Sequence, residues 1–566
     1  MVFLKDFRRE FYDVIQNQRV LVLVSLSVDS LCACKILQYL FQCDQVLYTI
    51  VPVTGYQDLE RAYLENSEGV KYVIMINLGA TIDVVETLQP PENVVFFICD
   101  SHRPVEVHNV YNQVQVNLLM KQDEIEDIPE FDTVFRDEES DDDSGNESDD
   151  GTQAPGGKRR RFNPEALEKR RERRLWEEKK QKLIFDYTEF SGYGTSSAFL
   201  IFELAWKMSK DTNDLLWLGI LGVTDQYIHH RIDRDTYIDV VGQMQSHVSR
   251  HNHRPEGDEN SVSVDCLRIA FDQELQLVLY RHWSIFESLC HSPQMACRFR
   301  VWTMKGRKRL HEFLADMGLP LVQCKQKFGS MDVHIKDSIK DTITQQAPKY
   351  GFDEQELFLP SFHAQYGYKN KLCAMDGVYA CGSILENTEN DATASECFLK
   401  ALDFLNRNNV EILEKGLESS KNQLQGIVRQ VQSFLDMGQI ISAGPFLYAF
   451  VQEGTPDTKF FARPICLERL AKFTLAAYCS VSKSKKAPNL PLVLGAPHDK
   501  NLGTMLVVGI PPLSEKTCKN FFGKAFEQAG NSTGARTMHD YFDSHIIEMK
   551  TEDKSKFFDA LISLLQ

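Results

Sequence analysis

The chain has 566 residues, of which 43% are hydrophobic and 25% are charged, so it contains enough apolar material for several domains. Its formal net charge of −17 excludes a protein that holds duplex DNA through an overall positive charge. The 14 cysteines include no C-x-x-C pair, and the N-terminal segment is too charged for a secretory signal. We therefore expect a soluble intracellular protein with reduced thiols and no membrane contact.

Strand-like and helix-like segments alternate through the first part of the chain. Unbroken apolar runs predict buried strands at residues 19–29, 43–53, 70–80 and 93–100. Amphipathic segments predict helices at residues 4–18, 30–41, 56–65 and 83–89. This alternation predicts an α/β domain that is built on a doubly wound parallel sheet.

An acidic segment interrupts this pattern. Residues 137–150 contain nine acidic side chains among fourteen residues, a composition that predicts a disordered loop. The serines within it lie among carboxylates, which suits a kinase that prefers acidic sequences, although a plain spacer is the alternative. The candidate phosphorylation sites are Ser140, Ser144 and Ser148.

A basic segment follows directly. From Lys158 to Lys182 the chain carries twelve Lys and Arg against five Glu, and residues 164–183 predict a charged helix. The residues at its start predict a nuclear-localisation signal, with a nucleic-acid contact and a solvated face as the alternatives. These residues are Lys158, Arg159, Arg160 and Arg161.

Three regions are predicted. Residues 1–228 form the α/β domain, with a disordered insertion at about 136–164, a helix at 192–208 and a further apolar segment at 214–224. The turn at 191–197, "SGYGTSS", lacks the Gly-Lys-Ser/Thr ending of a phosphate-binding loop. Residues 229–395 lose the alternation and predict a helical inter-domain region. Residues 396–566 predict two long helices followed by a smaller α/β domain.

Polar residues follow three of the predicted strands, and Asp225 follows the apolar segment at 214–224, which we predict to be a further buried strand. Because ligands bind at the carboxyl ends of parallel strands, we expect these residues to converge at one edge of the sheet. Aspartate and histidine gathered in this way can hold a pair of hard divalent metal ions. The candidate residues are Ser25, Ser27, Asp29, Asn77, Asp100, Ser101, His102 and Asp225.

This layout resembles the DHH phosphoesterase superfamily and, within it, the RecJ-like single-strand exonucleases. That superfamily carries an Asp-x-Asp-x-Asp-Gly turn, an Asp-x-Gly turn, an Asp-His-His motif and a fourth aspartate. In this chain only Asp29 of the first motif remains, because Ser25 and Ser27 stand at the other two positions. Asn77 stands at an aspartate position, and Ser101 replaces one histidine.

These substitutions leave the expected metal site with fewer anionic ligands than the superfamily motifs provide. Two divalent ions about 3.5–4 Å apart repel each other, and bridging carboxylates must offset that repulsion. We therefore expect an eroded pocket with no catalytic residues, no bound metal and no cofactor, whose aspartates act as helix caps and turn residues. The alternatives are a single weakly held ion and a manganese-dependent single-strand nuclease or phosphoesterase with a degenerate site.

The resemblance extends along the whole chain to the eukaryotic, RecJ-like branch of this superfamily. It implies a non-catalytic scaffold subunit of the replicative DNA helicase that acts in the nucleus. The implied partners are the minichromosome maintenance hexamer and the GINS complex, which it joins for initiation and elongation of replication. The resemblance also implies contacts with the leading-strand DNA polymerase and leaves single-stranded DNA binding open.

Overall fold

The computed structural model describes residues 3–121, 124, 128–135, 164–252, 267–366, 370–388, 392–406, 409–515 and 517–566. The predicted disordered insertion, the candidate phosphorylation serines and the four candidate nuclear-localisation residues lie outside these residues. Across the part of the chain that is described, no helix combines the length and the apolar character that crossing a bilayer requires.

The first region contains the predicted parallel sheet. Its strands pair in the order β2-β1-β3-β4-β6, every neighbouring pair is parallel, and a short antiparallel pair, β5 with β7, lies beside it. The bounds are β1 Arg19–Ser25, β2 Leu47–Val53, β3 Tyr72–Ile76, β4 Val95–Cys99, β5 His102–Arg103, β6 Val116–Leu118 and β7 Gly192–Tyr193. The chain leaves β1 on one side for β2 and returns on the other side at β3, so the sheet is doubly wound, as predicted.

Helices cover both faces of this sheet. The long predicted helices are present, whereas the opening helix consists of a π-helical turn, Arg8–Tyr12, and one short α-helix. The helices of the region are α1 Asp13–Ile15, α2 Val28–Asp44, α3 Tyr56–Asn66, α4 Val84–Leu88, α5 Val107–Tyr111, α6 Phe131–Val134, α7 Pro164–Thr188, α8 Ser197–Lys207 and α9 Asn213–Ile228. The predicted charged helix at 164–183 corresponds to α7.

The middle region is mostly helical but also contains a small antiparallel sheet that the sequence did not predict. Its central strand carries Pro360, a residue that argues against a strand, and one of its two partner strands is distant in sequence. The elements are α10 Arg234–Asn252, β8 Arg268–Leu275, α11 Ile285–His291, α12 Pro293–Phe299, α13 Met304–Asp316, α14 Leu321–Lys325, α15 Val333–Gln346, α16 Glu354–Leu357, β9 Phe358–Tyr366, β10 Asn370–Cys373 and α17 Ala374–Leu385.

The last region contains the predicted long helices and a second, mixed sheet with the order β11-β12-β13-β14-β16-β15. The pair β12 and β13 is parallel, and the other pairs are antiparallel. The elements are α18 Ala394–Phe404, α19 Val410–Asp436, β11 Ile441–Ser442, β12 Leu447–Phe450, α20 Thr458–Phe461, α21 Pro464–Val481, β13 Leu492–Pro497, β14 Thr504–Ile510, α22 Phe522–Thr533, β15 Thr537–Met538, β16 Ile546–Lys550 and α23 Lys554–Leu565.

Hydrophobic cores join the three regions. Helices α2, α8 and α9 pack on one face of the first sheet, and the same core continues into α17 and α19. A second core connects the middle helices with α21 and the inner face of the C-terminal sheet. Because burial of apolar surface is the main favourable term in folding, these shared cores hold the two α/β regions together through the middle region.

Candidate functional site

The strand ends that were predicted to converge meet at the switch point of the first sheet. Strand β1 lies beside β3, and β3 lies beside β4, so the residues that follow them share one edge. Asn77, which follows β3, donates a 2.9 Å hydrogen bond from Nδ2 to Asp29 Oδ2. Its backbone nitrogen donates to the carbonyl of Cys99 at the end of β4.

The serines of the first motif form a helix cap. Ser27 is the N-cap of α2, and its hydroxyl accepts a 3.1 Å hydrogen bond from the backbone nitrogen of Ser30. Ser30 Oγ in turn donates to the carbonyl oxygen of Ser25, at 2.6 Å. These hydroxyls therefore satisfy backbone groups at the helix start, which is the ordinary structural use of serine.

Asp29 caps a second helix from outside. Its side chain is fully buried at the N-terminus of α8, where backbone N–H groups lack intrahelical partners. Oδ2 accepts from the backbone nitrogen of Ser197, and Oδ1 accepts from that of Ala198, both at 3.0 Å. The hydroxyl of Ser196 also donates to Oδ1. Together with Asn77, four hydrogen-bond donors therefore stabilise this carboxylate, aided by the positive end of the helix dipole.

Gly222 of α9 permits this arrangement. A Cβ atom at that position would lie 2.5 Å from Asp29 Oδ1 and 2.6 Å from the Cβ of Ala198. Only a residue without a side chain allows α9 to pass so close to the capped end of α8.

Asn77 connects the two sides of the site. Its Oδ1 accepts a 3.2 Å hydrogen bond from the backbone nitrogen of Ser101 and a 2.5 Å hydrogen bond from Ser197 Oγ. Its Nδ2 donates to Asp29, as described above. An amide can donate on one side and accept on the other, which an aspartate at this position cannot do at neutral pH.

Replacing Asn77 with aspartate is expected to lower the free energy of unfolding by about 2 kcal/mol at pH 7, because two buried carboxylates would face each other. The loss should shrink as the pH falls, since a shared proton then relieves the repulsion. Urea denaturation at several pH values measures both effects. Asn112→Asp, in a partly exposed turn, is the matched control. An unchanged or increased stability of Asn77→Asp at pH 7 would contradict this interpretation.

Asp225 does not follow a strand. The segment 213–228 is helix α9, and Asp225 lies within it, so the predicted strand is wrong. The short apolar run "LLWLGILGV" has no periodicity that separates a buried helix from a buried strand. Asp225 nevertheless reaches the same site. Burial raises the pKa of Asp225 to about 6, although the positive charge of Arg231 opposes the shift.

The buried Asp100 and the partly buried His102 form a pair at the end of β4. Asp100 Oδ1 accepts from the backbone nitrogen of His102 at 2.9 Å and lies 2.6 Å from its Nδ1, while Oδ2 accepts from the backbone nitrogen of Ala80. Burial alone would raise the pKa of Asp100, but the charge and hydrogen bonds of His102 outweigh it and hold that pKa below its usual value.

His102 also contacts the C-terminal region. Its Nε2 lies 3.3 Å from Oδ1 of Asp543, which follows β15. Burial lowers the pKa of His102, but Asp100 and Asp543 outweigh that effect and raise the pKa to about 9. The imidazole is therefore an imidazolium at neutral pH, held between one carboxylate from each α/β region.

Arg231 makes a second bridge of the same kind. One guanidinium nitrogen lies 3.3 Å from Asp543 Oδ2, and another lies 3.7 Å from Asp225 Oδ2. The guanidinium also lies over the ring of Tyr193, whose hydroxyl donates to Asp543 Oδ1. These charged side chains thus connect the first sheet to the C-terminal region, and we call them the ionic bridge. The ionic bridge consists of Asp100, His102, Asp543, Arg231 and Asp225.

The ionic bridge is expected to weaken above neutral pH. Because the folded pKa of His102, about 9, lies above its unfolded value near 6.5, its contribution is complete below pH 6.5 and is lost as the pH rises through 9. The loss amounts to about 3 kcal/mol. Denaturation of the unmodified chain and of His102→Gln between pH 7 and pH 10 measures this loss. The difference in unfolding free energy between the two proteins should shrink as the pH rises. His108→Gln, at a half-exposed ring, is the control, and a constant difference for His102→Gln would contradict the assignment.

The DHH resemblance implies a pair of divalent metal ions at this edge, and the residues present do not fit them. Both oxygens of Asp29 are engaged by protein donors, and Asp100 is paired with an imidazolium. Asp225 Oδ2 makes no hydrogen bond, but the neighbouring charge is the Arg231 guanidinium, which repels a cation. The site therefore supplies its own positive charges where the superfamily motif requires metal.

Sequence reasoning missed the partners of these carboxylates. Ser196 and Ser197 had a recognisable signal, because paired serines before an apolar helix are a common N-cap pattern. Arg231 follows α9 without any motif, and Asp543 is distant from His102 in sequence, so no local pattern could identify either one. In the turn "SGYGTSS", the hydroxyl of Ser196 and the backbone nitrogen of Ser197 donate to Asp29.

Comparison with known proteins identifies the family. A profile of the CDC45 family matches residues 20–150 and 120–564. The chain is 48% identical to "Cell division control protein 45 homolog" of Homo sapiens and 50% identical to the Mus musculus protein, over 100% of both chains in each case. A crystal structure of CDC45 from Entamoeba histolytica has the same fold, with a TM-score of 0.72, 24% identity and coverage of 100% of this chain and 99% of that chain. The chain therefore belongs to the Cdc45 family, and its role is in DNA replication.

Proposed function

We propose that this chain is a non-catalytic scaffold subunit of the eukaryotic replicative DNA helicase. In this proposal it joins the minichromosome maintenance hexamer to the GINS complex during initiation and elongation. The observation that carries the non-catalytic part is the ionic bridge, in which His102 and Arg231 supply positive charge among the site's carboxylates. A site whose anions are already neutralised offers little electrostatic attraction to a catalytic metal pair.

The proposal requires that the chain does not cut single-stranded DNA. Purified full-length protein is incubated with end-labelled single-stranded DNA and manganese, beside Asp100→Asn as the matched variant. We expect both proteins to leave the DNA intact. If the unmodified chain degraded the DNA and Asp100→Asn did not, the alternative of a manganese-dependent nuclease would replace the scaffold.

The assembly part needs a separate test. The full chain is mixed with the purified minichromosome maintenance hexamer and the GINS complex, and the mixture is separated by size-exclusion chromatography. We expect a complex that contains all three components and does not form when this chain is omitted. Failure of the chain to associate with either partner, alone or together, would overturn the proposal.

Contacts with the leading-strand DNA polymerase and with single-stranded DNA belong to the same proposal. For single-stranded DNA, the logarithm of the binding constant should fall with the logarithm of the salt concentration, with a slope of about −0.7 for each neutralised phosphate. A flat salt response would remove the DNA contact from the proposal. Addition of the polymerase to the chromatography mixture tests the remaining contact by co-elution.

We further propose that the chain acts in the nucleus. Four adjacent basic residues, at 158–161, match the composition of a nuclear-localisation signal. Replacing all four with alanine in a fluorescent fusion should reduce nuclear accumulation, whereas replacing the exposed Lys179 and Lys182 should not. Equal accumulation of all three fusions would exclude this segment as the signal.

A further inference from the structure

We propose that Thr455 is a phosphorylation site for a proline-directed protein kinase. Thr455 lies between β12 and α20 in the C-terminal region, in a largely exposed turn of residues 452–457. This turn is separate from the candidate functional site, and nothing in the scaffold proposal requires its modification.

The sequence places a proline after a serine or threonine at two positions, Ser292 and Thr455. Ser292 is fully buried, and its hydroxyl is engaged on both sides: it accepts a 2.9 Å hydrogen bond from the backbone nitrogen of Val278 and donates a 2.7 Å hydrogen bond to the carbonyl of Ser288. Thr455 is partly exposed, and four of the five other residues of its turn are exposed. A kinase can therefore reach Thr455 in the folded chain but not Ser292.

Pro456 supplies the specificity. A proline has no backbone N–H, so it can enter a pocket that offers no hydrogen-bond acceptor at that position. Any other residue would bury an unpaired N–H in the same pocket, which is the physical basis of proline-directed recognition. Proline also disfavours the helical conformation of the residue before it, so Thr455 is biased toward the extended backbone that a kinase binds around its acceptor residue.

The turn places few constraints on the Thr455 hydroxyl. Gly454 has a φ of +88°, a left-handed conformation that glycine adopts without strain, and it reverses the chain just before Thr455. Thr455 Oγ1 donates a 3.1 Å hydrogen bond to the carbonyl of Gln452 and lies 2.5 Å from Thr458 Oγ1. Both partners belong to the same short stretch of chain, so local opening of this turn is enough to free the hydroxyl.

The reaction is a phosphoryl transfer from ATP. Thr455 Oγ1 forms a bond to the γ-phosphorus, the bond from that phosphorus to the β–γ bridging oxygen breaks, and ADP leaves with the electron pair. The hydroxyl proton passes to the catalytic carboxylate of the kinase. The products are ADP and a phosphothreonine, whose phosphate carries a charge of about −1.5 to −2 at neutral pH.

The phosphate would lie beside an existing ion pair. The Arg429 guanidinium of α19 donates to both oxygens of Asp457, at 2.9 and 3.0 Å, and this pair connects the turn to α19. A phosphothreonine two residues before Asp457 repels that carboxylate and competes with it for Arg429, because phosphate and carboxylate both accept two parallel bonds from a guanidinium. The exposed Glu453 and Lys459 add one charge of each sign. We therefore expect phosphorylation to loosen the turn and α20 from α19.

The test incubates the folded full-length chain with ATP and a purified proline-directed kinase of the cyclin-dependent class, and it locates the phosphate by mass spectrometry. We expect phosphate at Thr455 and none at Ser292. Thr455→Val, which keeps the shape of the side chain without its hydroxyl, should lose this phosphate. Pro456→Ala should lower the rate of modification at Thr455 by about tenfold or more. Thr458→Val, at the neighbouring threonine that precedes no proline, is the matched control and should retain the phosphate at Thr455.

The proposal is overturned if the folded chain carries no phosphate at Thr455, or if Pro456→Ala is modified there as fast as the unmodified chain. A synthetic peptide of residues 286–299 tests the argument from burial, because it removes Ser292 from its buried setting and should accept phosphate. Modification of Ser292 in the folded chain at the rate of the peptide would contradict that argument.

Amide hydrogen exchange measures the expected consequence of the modification. Exchange in residues 452–461 should be faster in the phosphorylated chain, whereas exchange in β13 and β14 should be unchanged. Arg429→Met without phosphate should accelerate exchange in the same residues, since it removes the same ion pair. Unchanged exchange in residues 452–461 after full phosphorylation would rule out competition for Arg429.

Discussion

Arg231→Met is expected to lower the free energy of unfolding by about 3–5 kcal/mol, because it leaves the buried Asp225 and the partly buried Asp543 without their common cation. Methionine preserves most of the apolar stem of the arginine, so the loss of unfolding free energy measures the effect of removing the charge rather than the effect of changed packing. Urea denaturation at pH 7 measures it.

Two further variants isolate the ionic contribution. Arg250→Met removes a half-exposed arginine that pairs with Asp211 and should cost at most about 1 kcal/mol. Combining Arg231→Met with Asp543→Asn should restore part of the loss, since one of the two abandoned charges is then removed. A loss below about 1 kcal/mol for Arg231→Met would contradict a structural role for the ionic bridge.

Asp29→Ala is expected to cost at least about 3 kcal/mol of unfolding free energy, because it removes the acceptor of four buried hydrogen bonds. The backbone nitrogens of Ser197 and Ala198 would remain buried at the start of α8 without a partner. Asp29→Asn should cost less, since its amide oxygen still accepts. The measurement is denaturation in the presence and absence of manganese.

The two roles that Asp29 could have predict opposite results. A carboxylate kept for metal binding faces other carboxylates in the metal-free protein, so its removal leaves stability unchanged or raises it. A carboxylate kept as a cap stabilises the protein with or without manganese. If Asp29→Ala matched the unmodified chain without manganese and fell below it with manganese, the cap interpretation would fail.

Much of the fold could be predicted from residue patterns. The apolar runs that became β1 to β4 are short, bounded and separated by amphipathic helices, so period and length agree on a doubly wound parallel sheet. The same reasoning failed at α9, where an apolar run that includes Asp225 is a helix buried on all sides. It also missed the sheet of β8, β9 and β10, because Pro360 argues against a strand in β9, and β8 pairs with β9 across a long separation that leaves no local signal.

The candidate site was predictable only on the side of the first sheet. Asp29, Asn77 and Asp100 follow strands that the sequence identifies, so their proximity follows from the carboxyl-end rule. Arg231 and Asp543 carry no motif, and their position depends on packing between regions far apart in the chain. These partners determine whether the aspartates can bind a metal ion. If water stood in place of the guanidinium and the imidazolium, the same aspartates would retain their affinity for cations.

The pairing of charges in the candidate site has a simple electrostatic logic. Removing one ligand from a metal site leaves buried carboxylates that repel one another and cost stability. In this chain each carboxylate has a stabilising partner. Asn77 and the start of α8 donate hydrogen bonds to Asp29. The charge of His102 stabilises Asp100, and that of Arg231 stabilises Asp225. Asp543 then connects the two cations, which couples the first sheet to the C-terminal region.

The most direct measurement is an anomalous-scattering map at the manganese absorption edge, from crystals of the full chain equilibrated with manganese at neutral pH. We predict no anomalous peak within bonding distance of Asp29, Asp100 or Asp225, with Arg231 still placed between Asp225 and Asp543. Two peaks bridged by these aspartates, with His102 and Arg231 displaced from their partners, would contradict the account.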